Sequence, residues 1–258
     1  MNPDLLNPLP HDPIALITER FGVCLLIGAH ARDHVVVTKA GLQGSRLTRD
    51  LDFAVAVPSL EVYSEKTAAL ESSTGVATRF HVAGVPVDLI PFHPEGTDNP
   101  LVEVSDGIVT DISGLDEAFA TGEPFPAHPL LRVPTLHALL VLKAVAWRMR
   151  GSGASNSKDA TDLALLLDCL DEGDYEDRWQ GADDTVLERY EFDTDAISAH
   201  LTGEAAARDL PVATESVLSV WRDERLPLAA SRFPTERVRY RRALLALASG
   251  AEEALATT

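Results

Sequence analysis

Residues 46–57 read RLTRDLDFAVAV, and residues 85–92 read VPVDLIPF. Both segments contain short apolar runs bordered by proline or glycine, a pattern typical of buried strands. Successive side chains of a strand point to opposite faces, so Asp50 and Asp52 are predicted to project together from the start of the first strand. Asp88 is the one charged residue of the second segment. An acid in an otherwise apolar strand indicates that its charge has a partner.

These three carboxylates are candidate ligands for a divalent cation. Two carboxylates held close together repel each other, and burial of an unpaired charge is costly. Oxygen ligands of this kind suit Mg²⁺, which takes waters and substrate phosphates as its other ligands. Three of them on neighbouring strands would suit a site for two metal ions that binds a triphosphate. The residues alone leave an alternative, in which Asp50 caps a turn, Asp52 is exposed and Asp88 faces solvent on an edge strand.

The chain upstream of the first acidic strand predicts a helix, a strand and a glycine turn. Asp12 is a predicted N-cap, and residues 13–21 are predicted to form the helix that follows it. Residues 23–27 predict a buried strand, and residues 30–39 a helix weakened by three consecutive valines. A strand that ends at Gly28 and leads into a helix presents backbone N–H groups that can cradle phosphate oxygens, although this arrangement is common.

Downstream of the first acidic strand the pattern continues as short elements. Residues 60–70 predict a helix. Residues 76–82 and 85–92 are separated by Ala83-Gly84, which predicts a β-hairpin. Residues 107–112 predict a further strand. The first half of the chain is therefore predicted to be an α/β region built around a mixed sheet.

The periodicity changes at Pro134, after which apolar residues follow helical spacing. Residues 158–170 predict a second apolar helix, and prolines at positions 211, 227 and 234 predict breaks between later helices. We therefore predict an α/β (α+β) fold with two parts. Residues 1–125 form a mixed sheet with helices, and residues 126–258 form a helical C-terminal half.

The charge and cysteine content of the chain limit the kinds of partner and cellular compartment that it is expected to have. The 258 residues carry a formal net charge of −18, which argues against a broad nucleic-acid footprint. Seven arginines between residues 222 and 242 are compatible with a local RNA-binding patch or with a solvated amphipathic helix. Cys24 and Cys169 lie in apolar runs, which favours buried free thiols. Neither a signal peptide nor a bilayer-spanning segment is predicted, so we expect a cytoplasmic protein without a membrane partner.

Four ordered stretches resemble one family of enzymes. They are IGAHARD at residues 27–33, RLTRDLDFAV at 46–55, VPVDLIPF at 85–92, and LKAVAWRMR at 142–150 followed by KDATDL at 158–163. Gly28, the Asp50-x-Asp52 pair and Asp88 follow the order of the polymerase-β-like nucleotidyltransferase superfamily. Within it the chain resembles the AbiEii-type nucleotidyltransferase toxins of type IV toxin–antitoxin systems and related bacterial nucleotidyltransferases. The resemblance implies a polymerase-β-like mixed sheet and ends near residue 170.

The resemblance assigns roles to individual residues. It implies that Asp50 and Asp52 ligate two Mg²⁺ ions, and that Asp88 is the third carboxylate, which also takes the proton of the acceptor hydroxyl. It implies that Lys143 contacts the nucleotide phosphates, although a lysine on an apolar helix can also extend to the surface. Asp162 would act near the mouth of the site, accompanied by Asp159, for which the helix dipole is a sufficient alternative explanation.

The same resemblance predicts a nucleotide-binding side of the site. Its residues would be Gly28, Ala29, Arg32, Arg49 and Lys143. One departure is Ala29, because the superfamily commonly has serine or glycine there and a hydroxyl that would bind phosphate is missing. A second departure is the gap between the glycine and the Asp-x-Asp pair, which is longer than in minimal enzymes.

Three functions are compatible with these residues. The first is Mg²⁺-dependent transfer of a nucleoside monophosphate from an NTP to a tRNA 3′ end or a protein hydroxyl, with a cognate antitoxin protein as a further partner. The second is transfer to a small molecule, as in antibiotic-modifying enzymes, for which the acidic net charge would suit a cationic acceptor. The third is a non-catalytic nucleotide-binding module, to which the departure at Ala29 points.

Overall fold

A computed structural model of the chain describes residues 9–43, 48–72, 76–93, 99–105, 107–150 and 156–257. The chain divides into two compact units. The first consists of residues 1–34 and 44–135, and the second of residues 35–43 and 136–258. Residues 46 and 47, which open the stretch quoted first above, lie outside the described residues.

The first unit combines short helices with a mixed sheet. Its elements are α1 (His11–Phe21), β1 (Cys24–Ile27), α2 (Gly28–Asp33), β2 (Leu51–Ala56), α3 (Leu60–Thr67), β3 (Glu71–Ser72), β4 (Arg79–Val82), β5 (Val85–Phe92), β6 (Leu101–Ser105), β7 (Ile108–Asp111), α4 (Leu115–Thr121), β8 (Glu123–Phe125) and β9 (His128–Val133). Seven strands form one sheet in the order β3-β4-β5-β2-β1-β9-β8, and β6 pairs with β7 separately. The predicted mixed α/β architecture of this half is confirmed.

The centre of the large sheet carries the core of this unit. Leu51, Phe53 and Val55 alternate along β2 and are fully buried, as are Val87 and Leu89 of β5. Strands β2 and β5 are parallel, whereas β1–β2 and β4–β5 are antiparallel. Alternation with period two therefore fixes which face of each strand carries apolar side chains and leaves the other face for polar ones.

Two details of the N-terminal prediction change. The N-cap of α1 is Pro10, so the prediction that Asp12 caps this helix was wrong. Asp12 lies in the first turn, where a negative charge is favourable to the helix dipole. The predicted helix over residues 30–39 is confirmed in part, because α2 continues as a π-helix over His34–Lys39. Three consecutive valines of that segment are buried.

The hairpin predicted around Ala83-Gly84 is confirmed, since β4 and β5 pair across it. The sequence did not identify the hairpin of β8 and β9. Strand β9 runs parallel to β1 and joins the large sheet. The division predicted between residues 125 and 126 falls in the turn of this second hairpin.

The second unit is helical from residue 136 onward, whereas the predicted helical half began at residue 126 and so wrongly included β9. Its helices are α5 (Leu136–Arg150), α6 (Asn156–Asp168), α7 (Asp184–Arg189), α8 (Thr194–Asp209), α9 (Pro211–Trp221), α10 (Arg225–Ala230) and α11 (Pro234–Leu255), with 3-10 turns at Gly173–Tyr175 and Arg178–Gly181. Pro211 and Pro234 each occupy the first position of a helix, where the missing N–H has no partner to lose. Pro227 lies in the first turn of α10, so that break precedes the proline.

Helices α8 and α11 pack closely through two glycines. A Cβ at Gly203 would lie 2.0 Å from the carbonyl oxygen of Leu247, and a Cβ at Gly250 would lie 2.0 Å from that of His200. The two helices therefore approach each other backbone against backbone. Within the described ranges, no helix is both long and apolar enough to cross a membrane.

Candidate functional site

A row of paired residues crosses the large sheet at the two acidic strands. Asp52 of β2 pairs in register with Asp88 of β5. Asp88 pairs in turn with Arg79 of β4, and Asp52 with Ile27 of β1. Paired residues of adjacent strands present their side chains on the same face of a sheet. The two aspartates and the arginine therefore share one face, which brings together two of the three predicted carboxylates.

Gly28 makes room for the carboxylate of Asp52. Its φ of +68° is a conformation that L residues with a Cβ rarely adopt. A Cβ built on Gly28 would lie 2.0 Å from Oδ2 of Asp52. The glycine predicted to cradle phosphate is thus required for the position of Asp52, and its phosphate contact stays a prediction.

We expect Gly28→Ala to damage both the fold and the site. The positive φ costs an L residue roughly 1–2 kcal/mol, and the added methyl group displaces the Asp52 side chain. A displacement of a reacting group by about 1 Å lowers rates by roughly 100-fold. Unfolding monitored by far-UV circular dichroism and a nucleotidyl-transfer assay measure the two effects.

Gly84→Ala is the matched control for this substitution. Gly84 has a φ of +76°, but a Cβ there meets no atom within 4 Å. The control therefore shares the backbone strain and lacks the clash. Equal losses of stability and activity in the two variants would contradict a role of Gly28 in positioning Asp52.

Arg79 holds the carboxylate of Asp88 with two hydrogen bonds. Its Nε donates to Oδ1 over 2.7 Å, and its Nη2 donates to Oδ2 over 2.6 Å. The hydrogen bond to Asp88 and the negative charges of Asp88, Asp50 and Asp52 all raise the pKa of Arg79. The side chain of Arg79 is 45% exposed and that of Asp88 is 19% exposed. One guanidinium therefore lies within electrostatic reach of all three predicted metal ligands.

The sequence analysis missed Arg79, although a signal for it was present. A two-residue turn at Ala83-Gly84 fixes the register of a hairpin. Both turn residues have positive φ, at +50° and +76°. Counting back from Val85 opposite Val82 places Arg79 opposite Asp88. The register of the predicted hairpin was thus sufficient to find the partner of the third carboxylate.

Tyr63 supports β5 at Leu89, the residue that follows Asp88. Its hydroxyl lies 3.0 Å from the carbonyl oxygens of both Ala77 and Leu89. Burial raises the pKa of this hydroxyl, and the charge of Asp88 raises it further. The phenol therefore stays protonated and ties α3 to the strand that carries Asp88.

Asp50 and Arg49 differ from the two paired aspartates. Both residues are exposed and precede β2, which begins at Leu51. Asp50 therefore lies beside the strand pairing that aligns Asp52 with Asp88. Among the described residues, no three His, Cys, Asp or Glu side chains converge closely enough to hold a metal ion between them. A metal site here would draw on the Asp52–Asp88 pair, with Asp50 as an adjustable third ligand.

Two of the predicted nucleotide-binding residues of α2, Ala29 and Arg32, are buried, whereas Gly28 is half-buried. Ala29 is 7% exposed, and the side chain of Arg32 has no exposed surface. Arg32 donates from Nε to Oδ1 of Asp33 over 2.8 Å. His30 is also buried, and burial lowers its pKa while the charges of Asp33 and Asp50 oppose this effect. The side chains of Ala29, His30 and Arg32 are therefore part of the packing next to the acidic row and are not exposed to a bound nucleotide.

Lys143 is part of an ion-pair cluster within the helical unit. Its Nζ lies 2.7 Å from Oδ2 of Asp162 and 4.0 Å from Oδ1 of Asp159. Arg150 lies 2.5 Å from the other oxygen of Asp159. The side chains of Asp159 and Asp162 are 1% and 3% exposed. Two residues predicted to act on the nucleotide, Lys143 and Asp162, therefore neutralise each other's charge.

We expect Asp162→Asn to destabilise the helical unit by about 3 kcal/mol, because the largely buried Lys143 loses its close partner and is left with the 4.0 Å contact with Asp159, which Arg150 also neutralises. Urea unfolding followed by tryptophan fluorescence measures this effect selectively. All three tryptophans of the chain, Trp147, Trp179 and Trp221, belong to this unit.

The exposed Asp184 provides the control, as Asp184→Asn should leave the urea midpoint unchanged. If Lys143 acts chiefly on phosphate, Asp162→Asn would instead keep the midpoint and change the KM for NTP.

Acidic side chains neutralise most of the C-terminal arginines. Five of the seven arginines counted above form ion pairs. The pairs are Arg222 with Glu252, Arg225 with Asp223, Arg239 with Asp168, Arg241 with Glu224 and Arg242 with Asp193. These pairs make the arginines part of a mixed-charge surface. They weaken the argument that this segment is a basic patch for RNA.

Comparison with known proteins found no relative of this chain. No family model, no curated protein and no solved structure matched the chain significantly.

Proposed function

We propose that the chain is a Mg²⁺-dependent nucleotidyltransferase with a polymerase-β-like core, which transfers a nucleoside monophosphate from an NTP to an acceptor hydroxyl. The observation that carries the proposal is the in-register pair of Asp52 and Asp88 on adjacent parallel strands. Two carboxylates side by side on one face of a sheet repel each other, which favours a bound cation. Arg79 supplies one positive charge to Asp88, and a third carboxylate, Asp50, lies two residues before Asp52.

The donor set suits magnesium. Carboxylate oxygens are the ligands that Mg²⁺ takes from proteins in phosphate-transfer sites, usually one or two of them together with substrate oxygens. Asp52 and Asp88 would hold the metal, with Asp50 as the further ligand. Bound magnesium would polarise the phosphoryl oxygens and stabilise the leaving pyrophosphate.

The residues of the chain itself prepare this site in two ways. Gly28 leaves the space in which the Asp52 carboxylate lies, so the position of that ligand is set by the β1–α2 turn. Tyr63 holds the backbone of β5 next to Asp88. A ligand whose surroundings fix its orientation loses less entropy on binding metal and substrate. In the proposed reaction Asp88 also receives the proton of the acceptor hydroxyl.

Two acceptor classes are proposed, in order. The first is a tRNA 3′ end or a protein hydroxyl, as the family resemblance implies, with a cognate antitoxin as regulator. The second is a cationic small molecule of the antibiotic type. The net charge of −18 and the ion-paired C-terminal arginines favour this second class, because they leave a surface attractive to cations.

A transfer assay tests the proposal. The purified chain is incubated with Mg²⁺ and each of the four α-³²P-labelled NTPs, with total tRNA, a protein extract or a panel of aminoglycosides as acceptor. Asp52→Ala is the control. Label on tRNA or protein that is lost in the control supports the first class, and label on an aminoglycoside supports the second.

Absence of transfer with every NTP and acceptor, despite measurable binding of Mg²⁺–NTP, would contradict the enzyme and favour a non-catalytic nucleotide-binding module. Absence of both transfer and binding would contradict the proposal as a whole.

A further inference from the structure

The Asp52–Asp88 pair already has a cationic partner in the protein. Arg79 hydrogen-bonds both oxygens of Asp88, at 2.7 and 2.6 Å. The negative charges of Asp50 and Asp52 act on the same guanidinium. A bidentate arginine–carboxylate pair uses the lone pairs that face the guanidinium, so it is strong and directional. Arg79 thus lies where a divalent cation would have to bind.

The two members of this pair differ in exposure. Arg79 is 45% exposed, whereas Asp88 is 19% exposed. Asp88 lies on a central strand between β2 and β4, and its backbone is held on both sides. The backbone of Arg79 is held in β4 opposite Asp88, but its guanidinium lies at the end of a long, half-exposed side chain that can rotate into solvent once a competing cation compensates for the lost ion pair. The arginine, rather than the aspartate, is therefore the movable member of the pair.

We propose that Arg79 is a built-in counter-ion that competes with the divalent cation for Asp88 and weakens metal binding to the site. This inference rests on the proposed function, because it assumes that Asp52 and Asp88 bind the metal. In the metal-free protein Arg79 neutralises the third carboxylate. The cation binds as the guanidinium withdraws, so the chain takes up metal only at concentrations high enough to displace it.

Mn²⁺ binding measured by electron paramagnetic resonance on the full chain tests this competition. Mn²⁺ is a suitable probe because it prefers the same oxygen ligands as Mg²⁺. Binding that is lost in Asp52→Asn defines the site, which separates it from loose binding to an acidic protein. We expect Arg79→Met to bind Mn²⁺ roughly tenfold more tightly than the natural chain, because the cation no longer has to displace a charge-assisted pair from Asp88.

Two further variants identify the cause of this gain. Arg225→Met removes a bidentate arginine from Asp223 elsewhere in the chain and should leave the affinity unchanged. In an Asp88→Asn background, Arg79→Met should raise the affinity little above that of Asp88→Asn alone, because the competition concerns Asp88. Arg79→Lys keeps the charge and loses the bidentate geometry, so it should give a smaller gain. It replaces Arg79→Met if circular dichroism shows that the latter does not fold.

The outcomes separate this inference from the function on which it rests. Tighter binding in Arg79→Met, absent in Arg225→Met, supports the competition. Equal or weaker binding in Arg79→Met, with Asp52-dependent binding in the natural chain, would overturn the competition and leave the metal site standing. No Asp52-dependent binding in any variant would overturn both.

Discussion

Asp52→Asn is expected to lower nucleotidyl transfer on the order of a thousandfold, the size of losing one preorganised electrostatic contact to a reacting phosphate or its metal. Asn keeps the volume of Asp52 and removes its charge, so the fold should persist. Asp88→Asn should cause a similar loss, because the two residues are paired across β2 and β5. The measurement is the initial rate of label transfer at saturating NTP.

The structure also predicts a ranking among the three aspartates. Asp50 is exposed and precedes β2, so Asp50→Asn should reduce transfer less than the other two changes. Asp12→Asn is the control, as its side chain is 85% exposed in the first turn of α1. Full activity in Asp52→Asn would remove the basis for the proposed function. A loss in Asp50→Asn as large as that in Asp52→Asn would contradict the ranking alone.

Gly203→Ala is expected to destabilise the helical unit by about 3 kcal/mol, near the upper end for overpacking a close contact. The new Cβ would lie 2.0 Å from a backbone oxygen of α11 and 2.9 Å from the amide nitrogen of Ala251. Backbone atoms in the middle of a helix cannot move away as a side chain can. The helices must therefore separate. The free-energy cost of that separation exceeds the stabilisation of roughly 0.5–1 kcal/mol that replacing glycine by alanine gives to a helix.

Gly181→Ala is the matched control in the same unit, because its Cβ would meet only a methyl group of Leu201 at 4.0 Å. Urea unfolding followed by tryptophan fluorescence compares the two variants. A midpoint for Gly203→Ala equal to that of Gly181→Ala would show that α8 and α11 are not packed through their backbones.

Local patterns predicted much of the fold. The apolar run with Asp52 at its start predicted β2, and the apolar run of residues 85–92 after the Ala83-Gly84 turn predicted β5. Helical spacing after Pro134 predicted the helical second unit. Short polar turns and strands of mixed composition carried too little periodicity, so β8 and β9 were not identified. The cap of α1 was misassigned because the helix begins at His11, two residues before the predicted start, which places Asp12 inside the first turn and leaves Pro10 at the N-cap without a side-chain hydrogen bond.

Charge partners were predicted less well than elements. Lys143 was expected to contact phosphate on the basis of resemblance, and in the structure it pairs with Asp162. The two residues lie on different helices, α5 and α6, and the angle between packed helices cannot be derived from either sequence alone. Several of the C-terminal arginines likewise pair with acids far along the chain, as Arg222 does with Glu252 and Arg239 with Asp168.

The sequence by itself determined strands β1, β2, β4 and β5, and the two-residue turn between β4 and β5 fixes the register that places Arg79 opposite Asp88, although that pair was not predicted. These features follow from the apolar patterns of short segments and from one two-residue turn, both of which involve residues close together in the chain. Only the tertiary structure decided that Asp52 lies beside Asp88 and against Gly28. Parallel strands are joined by a long crossover connection, and no local pattern specifies which strand the next one will pair with. The close approach of the Asp52 carboxylate to Gly28 exists only once the sheet has formed.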